Sequence, residues 1–393
     1  MKSLRTVLAI VASIGLSSCG LPPPAQQAAT TIPVLSAGSL TTCGRAIDQS
    51  MLCWGANTGA GAEATSFVPA KPMGLGPVKE FAQSASTSTV CAIVDAGAPG
   101  SVWCWVATTA PVPIKNSDGS ALTGMRGIAV GGPGACAIRT SDTTLLCWRY
   151  PQVSGTSALW QATPSSVANL SNGITQVTIG EEFACALQTS GVTQVFCWGE
   201  NGRGQLGRGV ASPGEKQAAA IPNLSAVQIS AGISHTCALL AGGSIRCWGT
   251  NDSGQLGNGS TAMNVPTPQA VVSISNATMV SAGFGFSCAV LADQTARCWG
   301  SNDLGKLGIG LRVTSATWNP PNISLGSPVF VTSPIPVRGI ATALSISAGT
   351  SHACAGGLGS LQRCWGNNSK GELLVATTTM CGAGIPCSLE PVP

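Results

Sequence analysis

Apolar residues are distributed along this chain in two different ways. Near the start, Val7–Leu16 is an apolar run broken only by Ser13 and preceded by Lys2 and Arg5. It is too short to span a bilayer stably and has the charged-then-apolar layout of an export signal. Farther on, apolar positions come in short β-type runs punctuated by glycine. Between Val227 and Gly257, two such runs, Thr236–Leu240 and Ser244–Trp248, flank Gly242-Gly243. Paired glycines supply the positive φ angles that a tight hairpin turn needs. Pairing centred on Gly242 sets Cys237 opposite Cys247, within disulfide reach, and faces Leu239 with Ile245. A later segment, Val265–Val272, predicts a fourth short strand.

The unit repeats. Cys-Trp occurs seven times, at Trp54, Trp105, Trp148, Trp198, Trp248, Trp299 and Trp365, with intervals of 51, 43, 50, 50, 51 and 66 residues. Each is preceded by another cysteine. The resulting pairs are Cys43 with Cys53, Cys91 with Cys104, Cys136 with Cys147, Cys185 with Cys197, Cys237 with Cys247, Cys288 with Cys298, and Cys354 with Cys364. Spacings run from 10 to 13, and the added residues fall at the hairpin tip (Gly97–Gly100; Thr189–Gly191). Cys381 and Cys387 form an eighth pair. Four short strands per repeat of about 50 residues is one propeller blade, so the expected fold is all-β, a seven-bladed β-propeller with a disulfide in each blade. The tail Ser388–Pro393 reads as a fourth strand, and Ile32–Gly38 enters at a first strand, so the last blade is expected to abut the first.

Two resemblances add to this. Leu16-Ser17-Ser18-Cys19 resembles the lipobox of bacterial lipoproteins, which implies cleavage before Cys19 and its lipidation. Gly20 stands where an Asp would favour inner-membrane retention, so the outer membrane or cell surface is the expected place. The run Ser-Ala-Gly-x-x-His-x-Cys-Ala-Leu followed by Cys-Trp-Gly-x-Asn-x-x-Gly-Gln-Leu-Gly resembles the repeat of the regulator-of-chromosome-condensation family, whose members form seven-bladed propellers. The resemblance is strong at Trp198–Gly207, Trp248–Gly257 and Trp299–Gly308, and weaker at Trp365–Leu374. Repeat one loses Gly-Gln-Leu-Gly, and repeats two and three diverge after the Trp. The expected organisation is a signal peptide over 1–18, a lipidated tether over 19–35 and the propeller over 36–393.

Composition narrows the function. Seventeen cysteines fit an exported framework, and removing Cys19 leaves sixteen that can pair. Charged residues make up 9% of the chain, without a Lys/Arg run, which disfavours a nucleic-acid partner. His235 and His352 share one repeat slot, filled elsewhere by Thr89, Phe183 or Phe286, which favours a structural role over catalysis. No metal, cofactor or catalytic set is expected. Asn57, Asn201, Asn251, Asn302 and Asn367 read as turn residues after the Trp, without the acidic density of a calcium site. Arg246, Arg297 and Arg363 read as a solvated rim.

Function is expected at propeller-end loops: the divergent stretches Trp105–Leu122 and Trp148–Ala168, with Arg149, Tyr150 and Trp160, and the insertion Leu311–Pro334, with Trp318. The expected activity is that of a monomeric, non-catalytic scaffold, held at the membrane by its lipid and binding a protein or an envelope or polysaccharide ligand. The alternative is inhibition or regulation of an extracytoplasmic enzyme by protein–protein contact. The family includes nuclear exchange factors and secreted β-lactamase inhibitors, and export argues against the first of these.

Overall fold

The structure is a computed structural model describing residues 34–392, apart from 57–65, 96–97, 107–108, 133, 151–160, 191, 311–322, 325–329, 358–361, 376, 378 and 382–384. Within that span the chain forms seven antiparallel sheets, each from one contiguous stretch. Helix among the described residues is limited to one 3-10 turn, Asp303–Gly305. The innermost strands are Val34–Ala37, Val78–Gln83, Met125–Val130, Ile174–Ile179, Gln228–Ala231, Ala277–Ala282 and Ala343–Ala348. Each touches the next, and Ala343–Ala348 touches Val34–Ala37, so the ring closes. Together they line a central channel of about 280 Å³. The chain then works outward through each blade, and no sheet is shared between the two ends of the described chain.

The hairpin register agrees with the glycine-centred pairing. Cys237 faces Cys247 and Leu239 faces Ile245, with Val265–Ala270 as fourth strand. All seven blades place their cysteine pair in this way. Cys43 bonds Cys53, Cys91 bonds Cys104, Cys136 bonds Cys147 and Cys185 bonds Cys197. Cys237 bonds Cys247, Cys288 bonds Cys298 and Cys354 bonds Cys364. The Cα atoms are 4.1 Å apart in every one of these staples. Both cysteines are buried in every blade. Cys381 and Cys387 bond across an added hairpin of the seventh blade.

Details differ from expectation in three places. The longer spacing in the fourth blade extends the strands instead of the turn, because pairing continues from Phe183–Gly199 out to Ser190–Val192. The sixth-blade insertion is partly structural: Phe330–Pro336 is that blade's fourth strand, and Ile323–Ser324 adds a fifth outside it. The first strand also starts at Val34, inside the stretch assigned to the tether.

The ring has two unlike faces. On one lie the hairpin tips between second and third strands and the connections from each blade to the next; we call it the hairpin face. On the opposite face lie the loops from first to second strand, such as Gly232–Ser234, and the starts of the loops after each Trp, tied together by bonds such as Thr250 N–H to the Ser234 carbonyl.

Candidate functional site

The recurring pieces of the repeat meet between blades. Asn201 folds the turn after its Trp by accepting the Leu206 N–H at Oδ1, and Asn251, Asn302 and Asn368 do the same for Leu256, Leu307 and Leu373. In the seventh blade the slot belongs to Asn368, three residues after Trp365 as in the other repeats. Asn367 instead donates to the Glu372 carboxylate. The folded turn wedges against the next blade and offers it a main-chain carbonyl. Trp248 donates its indole N–H to Gln205, Trp299 to Gln255, Trp365 to Lys306 and Trp54 to Glu372, at 2.8–2.9 Å.

Both histidines serve these joints. His235 Nε2 lies 2.8 Å from Ser287 Oγ, whose proton goes to the Gln255 carbonyl. His352 Nε2 lies 2.9 Å from Thr42 Oγ1, whose proton goes to the Glu372 carbonyl. With each hydroxyl proton committed, Nε2 is the ring nitrogen that donates, and burial favours the neutral imidazole. Burial lowers both pKa values to about 4. Neither ring is placed as a catalytic base.

A second set of bonds joins the inner strands around the channel. The hydroxyls of Thr178, Ser230, Ser281 and Ser347 accept the main-chain N–H of Ala231, Ala282, Ala348 and Ala37 in the following blade. Ala82 and Ala129 occupy this slot in the second and third blades and have no hydroxyl to offer. The same sector lacks the Gly-Gln-Leu-Gly turns, and the indole nitrogens of Trp105 and Trp148 are buried without a partner. Blades two and three therefore lack both recurring bonds. The Gly127 N–H donates to the Glu80 carboxylate across their joint instead.

Tyr150, expected as a contact residue, is buried within this sector and donates its hydroxyl to the Gly134 carbonyl. Its ring packs with Trp148, Ile114 and Leu122. That ring thus belongs to the core and offers no surface to a ligand. Arg149 is half-buried at the end of its strand. Trp160, Trp318 and Cys19 lie outside the described residues. Of the arginines, Arg246 is exposed while Arg297 and Arg363 are half-buried.

Sequence reasoning missed two surface features. On the hairpin face, Val227, Leu239, Met279, Leu291 and Leu344 line an apolar hollow of about 560 Å³ beside the channel mouth. On the opposite face, Phe284 stands 49% exposed. Beneath it the buried Lys306 ammonium donates to the Phe284 carbonyl and lies 5.5 and 5.4 Å from the rings of Phe284 and Phe286. Burial lowers the pKa of that ammonium to about 8. Among the described residues no cluster of His, Cys, Asp and Glu could hold a metal ion.

Comparison with known proteins agrees with the fold. Two profiles described as the regulator of chromosome condensation (RCC1) repeat match, one at residues 174–205, 226–255 and 278–306, the other at 194–239 and 243–290. The chain carries RCC1 repeats. The human protein named probable E3 ubiquitin-protein ligase HERC6 is 31% identical over 205 residues, which are 51% of this chain but only 19% of that one. Yeast RCC1 (Prp20), in the crystal structure with Kap60, is 18% identical with a TM-score of 0.68, covering 96% of this chain and 90% of that one. Human WBSCR16 gives 14% identity and a TM-score of 0.63, covering 83% of both chains. These likenesses show the propeller fold. Eight disulfides place its folding in an oxidising, extracytoplasmic compartment. No helix among the described residues is long and apolar enough to cross a membrane.

Proposed function

We propose that this protein is an exported, lipid-anchored RCC1-like propeller. It acts without catalysis, as a binding scaffold at the outer membrane or cell surface, and recognises a protein or envelope ligand through loops at one end of the ring. The observation that carries this is the cysteine count. Eight disulfides account for every cysteine of the seventeen except Cys19, the residue at the lipobox-like position. A thiol outside a framework this complete calls for a separate chemistry, and lipidation fits its position behind an export-type leader. The non-catalytic reading is supported by His235 and His352, whose rings are buried and committed to blade joints.

The test is metabolic labelling with an alkyne fatty acid, followed by detergent phase partition. Wild type should carry label and enter the detergent phase, and Cys19→Ser should do neither. Equal partition of the two would overturn the anchor. The binding half is tested by cross-linking on intact cells, comparing wild type with a deletion of residues 311–322 that leaves the Phe330–Pro336 strand in place. Loss of one specific adduct supports recognition through that loop, and turnover of a small substrate by purified protein would overturn the scaffold.

A further inference from the structure

The proposed anchor lies a set number of residues from the ring. Val34, where the described chain begins, pairs with Arg45, next to the Ala46–Ser50 hairpin turn. Val34 also belongs to an innermost strand. The preceding chain therefore enters the propeller on the hairpin face, beside the channel. Fourteen residues separate Cys19 from Val34. A chain of that length reaches at most about 45 Å. To present the opposite face to the bilayer, it would first have to cross a four-stranded blade and then descend its edge. At about 4.8 Å per strand and 3.3 Å per residue, that path is roughly 35 Å. Nearly the whole stretched length would be used before the lipid reached the membrane.

The hairpin face is also equipped for apolar contact. Ile47 is 75% exposed at the first hairpin tip, and Met73 57% exposed in the connection to the second blade. Val227 and Leu344 stand 58% and 50% exposed at the rim of the apolar hollow. Val210 and Met263 stand 62% and 66% exposed on the opposite face. Exposed aliphatic side chains thus make the hairpin face competent for apolar contact, and the entry point of the chain is what selects it. Charges there are mixed: Lys79 and Arg126 lie near the channel mouth, while Asp48, Asp118, Asp142 and Asp293 sit in the tips and blade connections. The attraction is therefore apolar and needs no anionic lipid.

We propose that the hairpin face lies against the bilayer that holds the anchor, with Ile47, Met73, Val227 and Leu344 in its interfacial layer. The opposite face, with Phe284, is then the one turned outward to partners. This orientation rests on the lipid-anchored reading above. The full lipidated chain, reconstituted in phosphatidylcholine vesicles, is compared by hydroxyl-radical footprinting with the Cys19→Ser chain free in solution. Oxidation of Met73, Ile47 and Leu344 should fall at least fivefold on the vesicles, and that of Phe284 should change less than twofold. The double variant Val227→Glu, Leu344→Glu keeps the lipid and should still float with vesicles, but with the protection lost. Protection of Phe284 equal to that of Met73, or protection of neither, would overturn the orientation while leaving the anchor intact. Failure of wild type to float would overturn the anchor itself, and the orientation with it.

Discussion

Trp54 and Glu372 lie 318 residues apart in the chain and 2.9 Å apart at the seam of the ring, the indole N–H of one donating to the carbonyl of the other. The same bond recurs at three further joints and is missing at Trp148. Trp54→Phe and Trp148→Phe remove similar volume from similarly buried sites. Only the first removes a satisfied hydrogen bond, worth about 1 kcal/mol. In urea denaturation Trp54→Phe should therefore cost about 1 kcal/mol more than Trp148→Phe. Equal losses would show that the bond contributes nothing to closure.

The histidines tie stability to pH. Folded His235 and His352 take up protons only near pH 4, whereas unfolded histidine does so near 6.5. Between those values the unfolded chain binds more protons, so stability falls as pH falls through the window. The limit is on the order of 3 kcal/mol per histidine. Protonation would also give His352 a charged Nδ1–H that has no acceptor. Burial raises the Glu372 pKa, which acts in the opposite sense and offsets part of the slope in the carboxylate range. Replacing both histidines with Gln should flatten the dependence of urea midpoints between pH 6.5 and 5. An unchanged slope would place its origin elsewhere.

The glycines after the Trp separate two physical costs. Gly257 has φ +65, and a Cβ there would sit 2.7 Å from Trp299 Nε1. Gly259 has φ +82 with open space around it. Gly259→Ala should cost only the left-handed backbone penalty, about 1 kcal/mol. Gly257→Ala adds a clash with a packed indole, roughly 1–3 kcal/mol more. Calorimetric melting of the two variants reads the difference directly. Identical shifts would mean that the joint yields without cost.

Each staple closes a short loop. Replacing Cys237 and Cys247 together with Ala should lower stability by about 2–3 kcal/mol, with the other disulfides intact by mass spectrometry. A free-thiol assay on the unfolded wild-type propeller should find no reactive cysteine among residues 43–387. A stoichiometric thiol in that range would contradict the pairing.

Reading the blades from sequence worked where partners lie close along the chain. Cys237 and Cys247 are ten residues apart, so local turn chemistry and period-two patterning suffice. Gly243 alone, at φ +81, supplies the positive φ of the turn between them, where the sequence suggested both glycines. Contacts between blades were less legible, because about fifty residues and a ring closure intervene. Nothing local says that Ser287 will relay His235 to Gln255, or that Ala82 will interrupt a ladder carried elsewhere by Ser and Thr. Tyr150 misled for the same reason. An aromatic in a divergent loop resembles a surface anchor until the absence of a neighbouring turn leaves room for it inside. Asn367 stands one position from Asn368, and only the distance from Trp365 tells which of the two folds the turn. Of the surface features, Val227 and Leu344 fill the same position in the fifth and seventh repeats, and only the ring brings them together.

Because each blade is cut from one contiguous stretch of chain, the joint between first and seventh blades is made of the same parts as that between fifth and sixth: a Trp, a hydroxyl, a histidine and a borrowed carbonyl. The seam where the circle closes is thus built no differently from an internal joint. A chain reopened between the fifth and sixth blades would meet an equivalent clasp, whereas one reopened beside the second or third blade would not.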